Sequence, residues 1–123
     1  MRIAVIGAGR MGAIRVEDLA ADPRVHEVLV ANRTEARAAE LAERFGVRSL
    51  PLSALEDVDV DGTVVALSTA AHRDQLTRVL SRGRPVLCEK PIALTLGDTE
   101  SAIALAEQQG ATLQIGFQRR FDT

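Results

Sequence analysis

Short β-branched runs alternate with longer stretches of helical period along this chain. Ile3-Ala4-Val5-Ile6 reads as a buried strand closed by Gly7. A helix is expected from about Arg10 to Asp22, where Asp22-Pro23 stops it. Val28-Leu29-Val30-Ala31 forms a second apolar run. Ala38, Leu41, Ala42 and Phe45 then fall at i, i+3, i+4 and i+7, one face of a helix over 34–45, with Gly46 as its stop. A short strand at Val47-Arg48-Ser49 and a helical turn through Leu52–Leu55 follow, then an acidic turn over Asp57–Gly62. Thr63–Leu67, Pro85–Cys88 and Thr112–Ile115 complete six strands. Between them lie a helix marked by Leu76, Val79 and Leu80, ending near Gly83, and another from Asp98 to Gln109, closed by Gly110. The strands are apolar on both faces and alternate with helices. That pattern predicts a doubly wound α/β domain, an open parallel sheet of about six strands with helices on both faces.

Composition narrows the class. At 123 residues there is room for one domain with a true core. Hydrophobic residues at 46% and charged residues at 26% exclude a disordered chain. A net charge of −2 with both signs scattered excludes the basic surface that nucleic acid or an anionic membrane would need. The single cysteine, Cys88, excludes a disulfide scaffold. MRIAVIGAGR lacks the layout of a signal peptide, and no apolar run reaches the roughly 18 residues of a membrane span. The expectation is a cytoplasmic protein with no metal site. Phe45, Phe117 and Phe121 are the only aromatic residues, and two of them sit in the last seven positions. Those two predict a contact with something beyond residue 123.

The chemistry sits where strands give way to helices. Gly7-Ala8-Gly9-Arg10-Met11-Gly12 is a G-x-G-x-x-G run that follows a predicted strand and opens a helix. In that context Gly7 permits the tight turn, Gly9 the close approach of a pyrophosphate and Gly12 the packing of helix on sheet. The helix N-terminus, with the amides of Arg10 and Met11, then faces the phosphates. The bland alternative is an ordinary strand-to-helix turn. About 20 residues on, where an NAD site normally carries an acid for the ribose 2′-hydroxyl, stands Asn32-Arg33-Thr34. No acid there repels a 2′-phosphate, and the Arg33 guanidinium can fork onto one, so NADP is favoured with NAD as the alternative. Against this, Asn32 reads equally as a helix N-cap with Glu35 behind it, and Arg33 as a solvated charge.

Ser68, Thr69 and His72 follow the fourth strand, at the end where open α/β sheets bind ligands. Thr69 can hydrogen-bond the nicotinamide half, while a lone His such as His72 is more often a helix-start residue than a catalyst. Cys88-Glu89-Lys90-Pro91 ends the fifth strand and sets an ammonium at the mouth of the cleft. A lysine there suits proton transfer, though a surface Lys beside a Glu is the simpler explanation. Pro91 fixes the turn after it.

Taken together, GAGRMG, STAAH, CEKP and GFQRRFD, in this order and spacing, resemble the glucose–fructose oxidoreductase / inositol dehydrogenase / rhizopine-catabolism (Gfo/Idh/MocA) family over essentially the whole chain. The resemblance implies the Rossmann fold and an NAD(P)-dependent dehydrogenase or reductase acting on a sugar, cyclitol or related carbonyl compound. It implies Lys90 as the active-site lysine and Glu89 as a cofactor-pocket residue, with Pro91 often cis. Thr69 and His72 would line the nicotinamide side, and Gln118 and Arg119 would face the cleft. Family members are two to three times this length, and their second domain supplies most of the substrate pocket and the oligomer interface. The expectation is therefore an isolated cofactor-binding domain over 1–123 that binds nucleotide without turnover. It also carries a self-association liability at the face meeting that second domain. The alternative is a stand-alone dinucleotide-binding or redox-sensing module. A methyltransferase would want an acid where Asn32 stands.

Overall fold

A computed structural model describes residues 1–66, 78–89 and 96–116. Six strands form one sheet: β1 (Arg2–Ile6), β2 (Glu27–Ala31), β3 (Arg48–Ser49), β4 (Gly62–Val65), β5 (Val86–Glu89) and β6 (Leu113–Gly116). The helices are α1 (Arg10–Ala21), α2 (Glu35–Phe45), the single turn α3 (Leu52–Leu55) and α4 (Leu96–Gln109). Residues 78–80 are helical as well. The strand order is β3-β2-β1-β4-β5-β6, every pair parallel, with Ile6 opposite Ala31 on one side and Val65 on the other.

The alternation along β1 shows why both faces must be covered. Ala4 and Ile6 point into one apolar cluster with Leu55, Val79, Leu80 and Ala106, so α3, the helix at 78–80 and α4 lie on that face. Val5 points the other way, into a cluster with Val16, Ala38 and Leu41 from α1 and α2. The two clusters make the sandwich that the doubly apolar strands require. On α2 the residues Ala38, Leu41 and Ala42 are buried, and Gly46 closes the helix in the left-handed region (φ 67) while Val47 N–H donates to Ala42 O at 2.9 Å.

Most boundaries shift by a residue or two from the sequence expectation; β5 and β6, for example, each begin and end one residue later. Gly62, expected in the turn, is the first residue of β4, drafted by its register opposite Ile3; a Cβ there would lie 3.4 Å from Pro85 O. The helix expected from Asp98 begins at Leu96.

Asp61 ties the entry of β4 to that of β1. Arg2 N–H donates to its Oδ2 at 2.7 Å, and Asp61 N–H donates back to Arg2 O at 2.8 Å. The Arg2 amide holds this carboxyl below its ordinary value of 3.8. A lowered carboxylate pKa contributes stability that is present above the ordinary value and lost as pH falls below it. Between about pH 5 and pH 3, Asp61→Asn should lose less melting temperature than the wild-type chain, because its amide oxygen accepts the same bond without titrating. Equal losses by calorimetry would show that the clamp does not titrate.

Candidate functional site

The carboxyl ends of three neighbouring strands are stitched together where the strand order reverses. Gly7 N–H donates to Ala31 O and Ala66 N–H donates to Ile6 O, each at 2.8 Å, so the ends of β2, β1 and β4 share one edge. In open α/β sheets the ligand crevice lies outside this edge, at the switch point.

The glycine turn occupies that crevice. Gly7 has φ 117, a conformation that a side chain would strain. Gly12, buried in the first turn of α1, has no room for a Cβ, which would sit 2.0 Å from the Gly7 carbonyl oxygen. Gly9 differs from both: its φ of −82 is open to any residue, and its Cβ would meet nothing within 4 Å. The space in front of Gly9 is thus a cradle that a side chain would fill. Gly9 is also the N-cap of α1, no side chain caps this terminus, and the first turn carries no acid to offset its partial positive charge. These residues fit the pyrophosphate of a dinucleotide, whose charge the helix terminus would meet. Arg10 and Met11 stand in the first turn beside it.

Asn32 is not the N-cap of α2. That place belongs to Thr34, with extended backbone (φ −90, ψ 102). β2 runs on to Ala31, and the Asn32 side chain turns back to the glycine loop instead. Its Oδ1 accepts from Ala8 N–H at 3.2 Å and its Nδ2 donates to Thr34 O at 3.1 Å. The amide group therefore fixes the glycine turn against the segment carrying Arg33, which is exposed and has no ion-pair partner among the described residues.

A groove of about 360 Å³ opens from this turn between α1 and α2. Ala8, Gly9 and Arg10 line it on one side, and Arg37, Glu40 and Arg44 on the other. Hydrophobic patterning does not single out Arg37 or Arg44; the only signal in the sequence is the four-residue spacing from Arg33 to Arg37.

Glu89 is the last residue of β5, paired with Gly116 of β6. Ser68, Thr69, His72, Lys90, Pro91, Gln118 and Arg119 lie outside the described residues, as do Phe117 and Phe121. Among the described residues no cluster of three or more His, Cys, Asp or Glu could hold a metal ion, and no helix is long and apolar enough to cross a membrane.

This sheet order and glycine turn define a dinucleotide-binding α/β domain of the Rossmann type. The sequence profile of the Gfo/Idh/MocA group, described as an oxidoreductase family with an NAD-binding Rossmann fold, matches residues 1–117. The chain belongs to this family. It is 38% identical to the myo-inositol dehydrogenase Hyg17 of Streptomyces leeuwenhoekii over 99% of its own length. It spans only 38% of that relative. GenD2 from gentamicin A biosynthesis, solved in complex with NAD, superposes with a TM-score of 0.87 at 38% identity, covering 94% of this chain and 34% of GenD2. KijD10, a 3-ketoreductase from Actinomadura kijaniata solved with NADP, gives 0.86 at 31% identity, covering 95% and 38%.

Proposed function

We propose that this chain is the cofactor-binding part of an NAD(P)-dependent dehydrogenase or reductase acting on a polyol, sugar or related carbonyl compound, and that it takes NADP in preference to NAD. The observation that carries the reading is the open cradle at Gly9, set at the switch point of the sheet beside a helix terminus with no acid in its first turn. Gly7 and Gly12 hold the turn, and Asn32 locks it to the Arg33 segment. The cofactor, once bound, supplies hydride chemistry at the nicotinamide ring. Lys90, which follows β5 directly in the sequence, is assigned the proton at the substrate oxygen. Thr69 and His72 are assigned to the nicotinamide side of the same cleft, and Ser68, Glu89 and Pro91 to the cofactor pocket, in the cytoplasm.

Relatives with NAD and with NADP both occur among the similar structures, so the preference rests on this chain's own residues. No carboxylate stands at the position that would take a ribose 2′-hydroxyl, and Arg33, without an ion-pair partner among the described residues, can receive a phosphate there. Residues 1–123 alone bind the nucleotide but do not turn over substrate. Orienting a substrate over the nicotinamide contributes about 7–11 kcal/mol, and the relatives have a further three-fifths of their length to do it.

Calorimetric titration tests the preference, since the chain has no Trp or Tyr to report binding by fluorescence. NADPH should bind about tenfold tighter than NADH, equivalent to about 1.4 kcal/mol. Tighter binding of NADH would overturn the 2′-phosphate assignment.

A further inference from the structure

The two edges of the sheet are finished differently. β3 has only two residues, one of them Arg48; Val47 N–H just before it already donates to Ala42 O at 2.9 Å, and Pro51 follows closely. A very short strand with a charge on it and a proline beside it is a poor template for another strand. β6 has four residues, pairs only with β5 among the described residues, and reads LQIG, with neither charge nor proline. Val86 N–H donates to Thr112 O at 2.8 Å, and Val86 stands opposite Leu113 in the register. Backbone groups alternate in direction along a parallel strand, so Thr112 and Gln114 face β5. The N–H and C=O groups of Leu113 and Ile115 therefore face outward, and they form the open edge.

We propose that a second copy of this chain pairs with β6, antiparallel, about a two-fold axis; this is independent of the cofactor reading. A two-fold makes the patch its own partner, so no second surface is required. One register uses all four outward groups of each copy. In it Leu113 lies opposite the partner's Ile115 and Ile115 opposite the partner's Leu113, each pair exchanging both hydrogen bonds. Position 114 then lies opposite itself on the axis. Gln114 is neutral, so self-pairing meets no like-charge repulsion there. The two six-stranded sheets become one.

A helix accompanies each edge. The two-fold of an antiparallel pair stands perpendicular to the sheet, so both copies of α4 fall on the same face of the joined sheet. α4 packs over β5 and β6 on that face, its Leu105 and Ala106 clustered with Val86, Cys88 and Leu113. Ile103 of α4 is 46% exposed, the most exposed large apolar side chain on any described helix. The joined sheet sets the two copies of α4 alongside one another and offers this surface cover. A short strand pair and one helix flank make a small interface, in the weak and transient class.

The test is sedimentation equilibrium of the wild-type chain and of Gln114→Lys and Gln114→Glu, with melting curves to confirm that each is folded. The wild type should be monomeric near about 10 µM and approach twice the 13.2 kDa of one chain near about 1 mM. Each charged variant sets like charges opposite one another on the axis and should weaken the dimer by about threefold to fivefold. An equimolar mixture of the two should dimerise at least as strongly as the wild type. Ile115→Pro gives a second block: its N–H faces outward, so proline removes no bond to β5, and the dimer should weaken by about tenfold or more. If that variant does not fold, the charge pair decides alone. A wild type that stays monomeric throughout overturns the proposal and leaves the edge to a different chain. Dimerisation unchanged in the charged variants places self-association on another face and overturns it as well, as does a mixture that recovers nothing.

Discussion

Gly12→Val should lower the melting temperature by roughly 10 °C or more and abolish measurable dinucleotide binding. The Cβ of any residue at this position would stand 2.0 Å from the Gly7 carbonyl oxygen and 2.8 Å from its carbon. Both are backbone atoms, and Gly7 is held by its bond to Ala31 at the end of β2. Nothing flexible can move aside, so α1 must lift away from the turn. Overpacking of this kind costs about 1–3 kcal/mol, occasionally more. At roughly 4 °C per kcal/mol for a domain of this size, the upper part of that range gives the expected shift. The lift also carries the N-terminal amides of α1 away from the place where a phosphate would meet them. Gly12→Ala should show the same two effects in weaker form, since alanine recovers up to about 1 kcal/mol in helix propensity. A calorimetric scan showing an unchanged melting temperature in Gly12→Val would mean that the turn is looser than its geometry states.

Gly9→Val separates binding from folding. Its φ of −82 suits a β-branched residue, and its Cβ would meet no atom within 4 Å. The fold should therefore tolerate the change: replacing the glycine N-cap of α1 by valine costs about 1 kcal/mol, or roughly 4 °C in melting temperature, well short of the Gly12→Val loss. The isopropyl group would stand in the cradle in front of the α1 terminus. A phosphate then either clashes with it or moves off the amides, and NADPH affinity should fall by at least thirtyfold, about 2 kcal/mol. Gly12 fails by deforming the protein; Gly9 fails by obstructing its ligand.

Much of this arrangement is legible in the amino-acid sequence. The strands stand out because a sheet covered on both sides needs apolar, largely β-branched residues at consecutive positions, as in Val28–Ala31, all four of which are buried. The α2 face is visible because Ala38, Leu41 and Ala42 keep the helical period, and Gly46 marks its end. The glycine turn is legible from its place between a strand and a helix. What escapes the sequence are consequences of distance in space. Asn32 followed by Glu35 has the local look of a capping pair, yet Asn32 answers an amide 24 residues earlier, at Ala8, and leaves the cap to Thr34. Gly62 has low strand propensity, and only its register against Ile3 makes it part of β4. Arg37 looks like any solvated charge until the packing of α1 against α2 forms a groove with Arg10 on its other side.

The most direct measurement is a pair of calorimetric titrations of NADPH, into the wild-type chain and into Gly9→Val, with their melting curves recorded alongside. A phosphate seat at Gly9 predicts binding to the wild type, loss of at least thirtyfold in the variant, and melting temperatures no more than about 5 °C apart. Equal affinity in the two chains would contradict it, because the dinucleotide would then lie somewhere other than the cradle at Gly9.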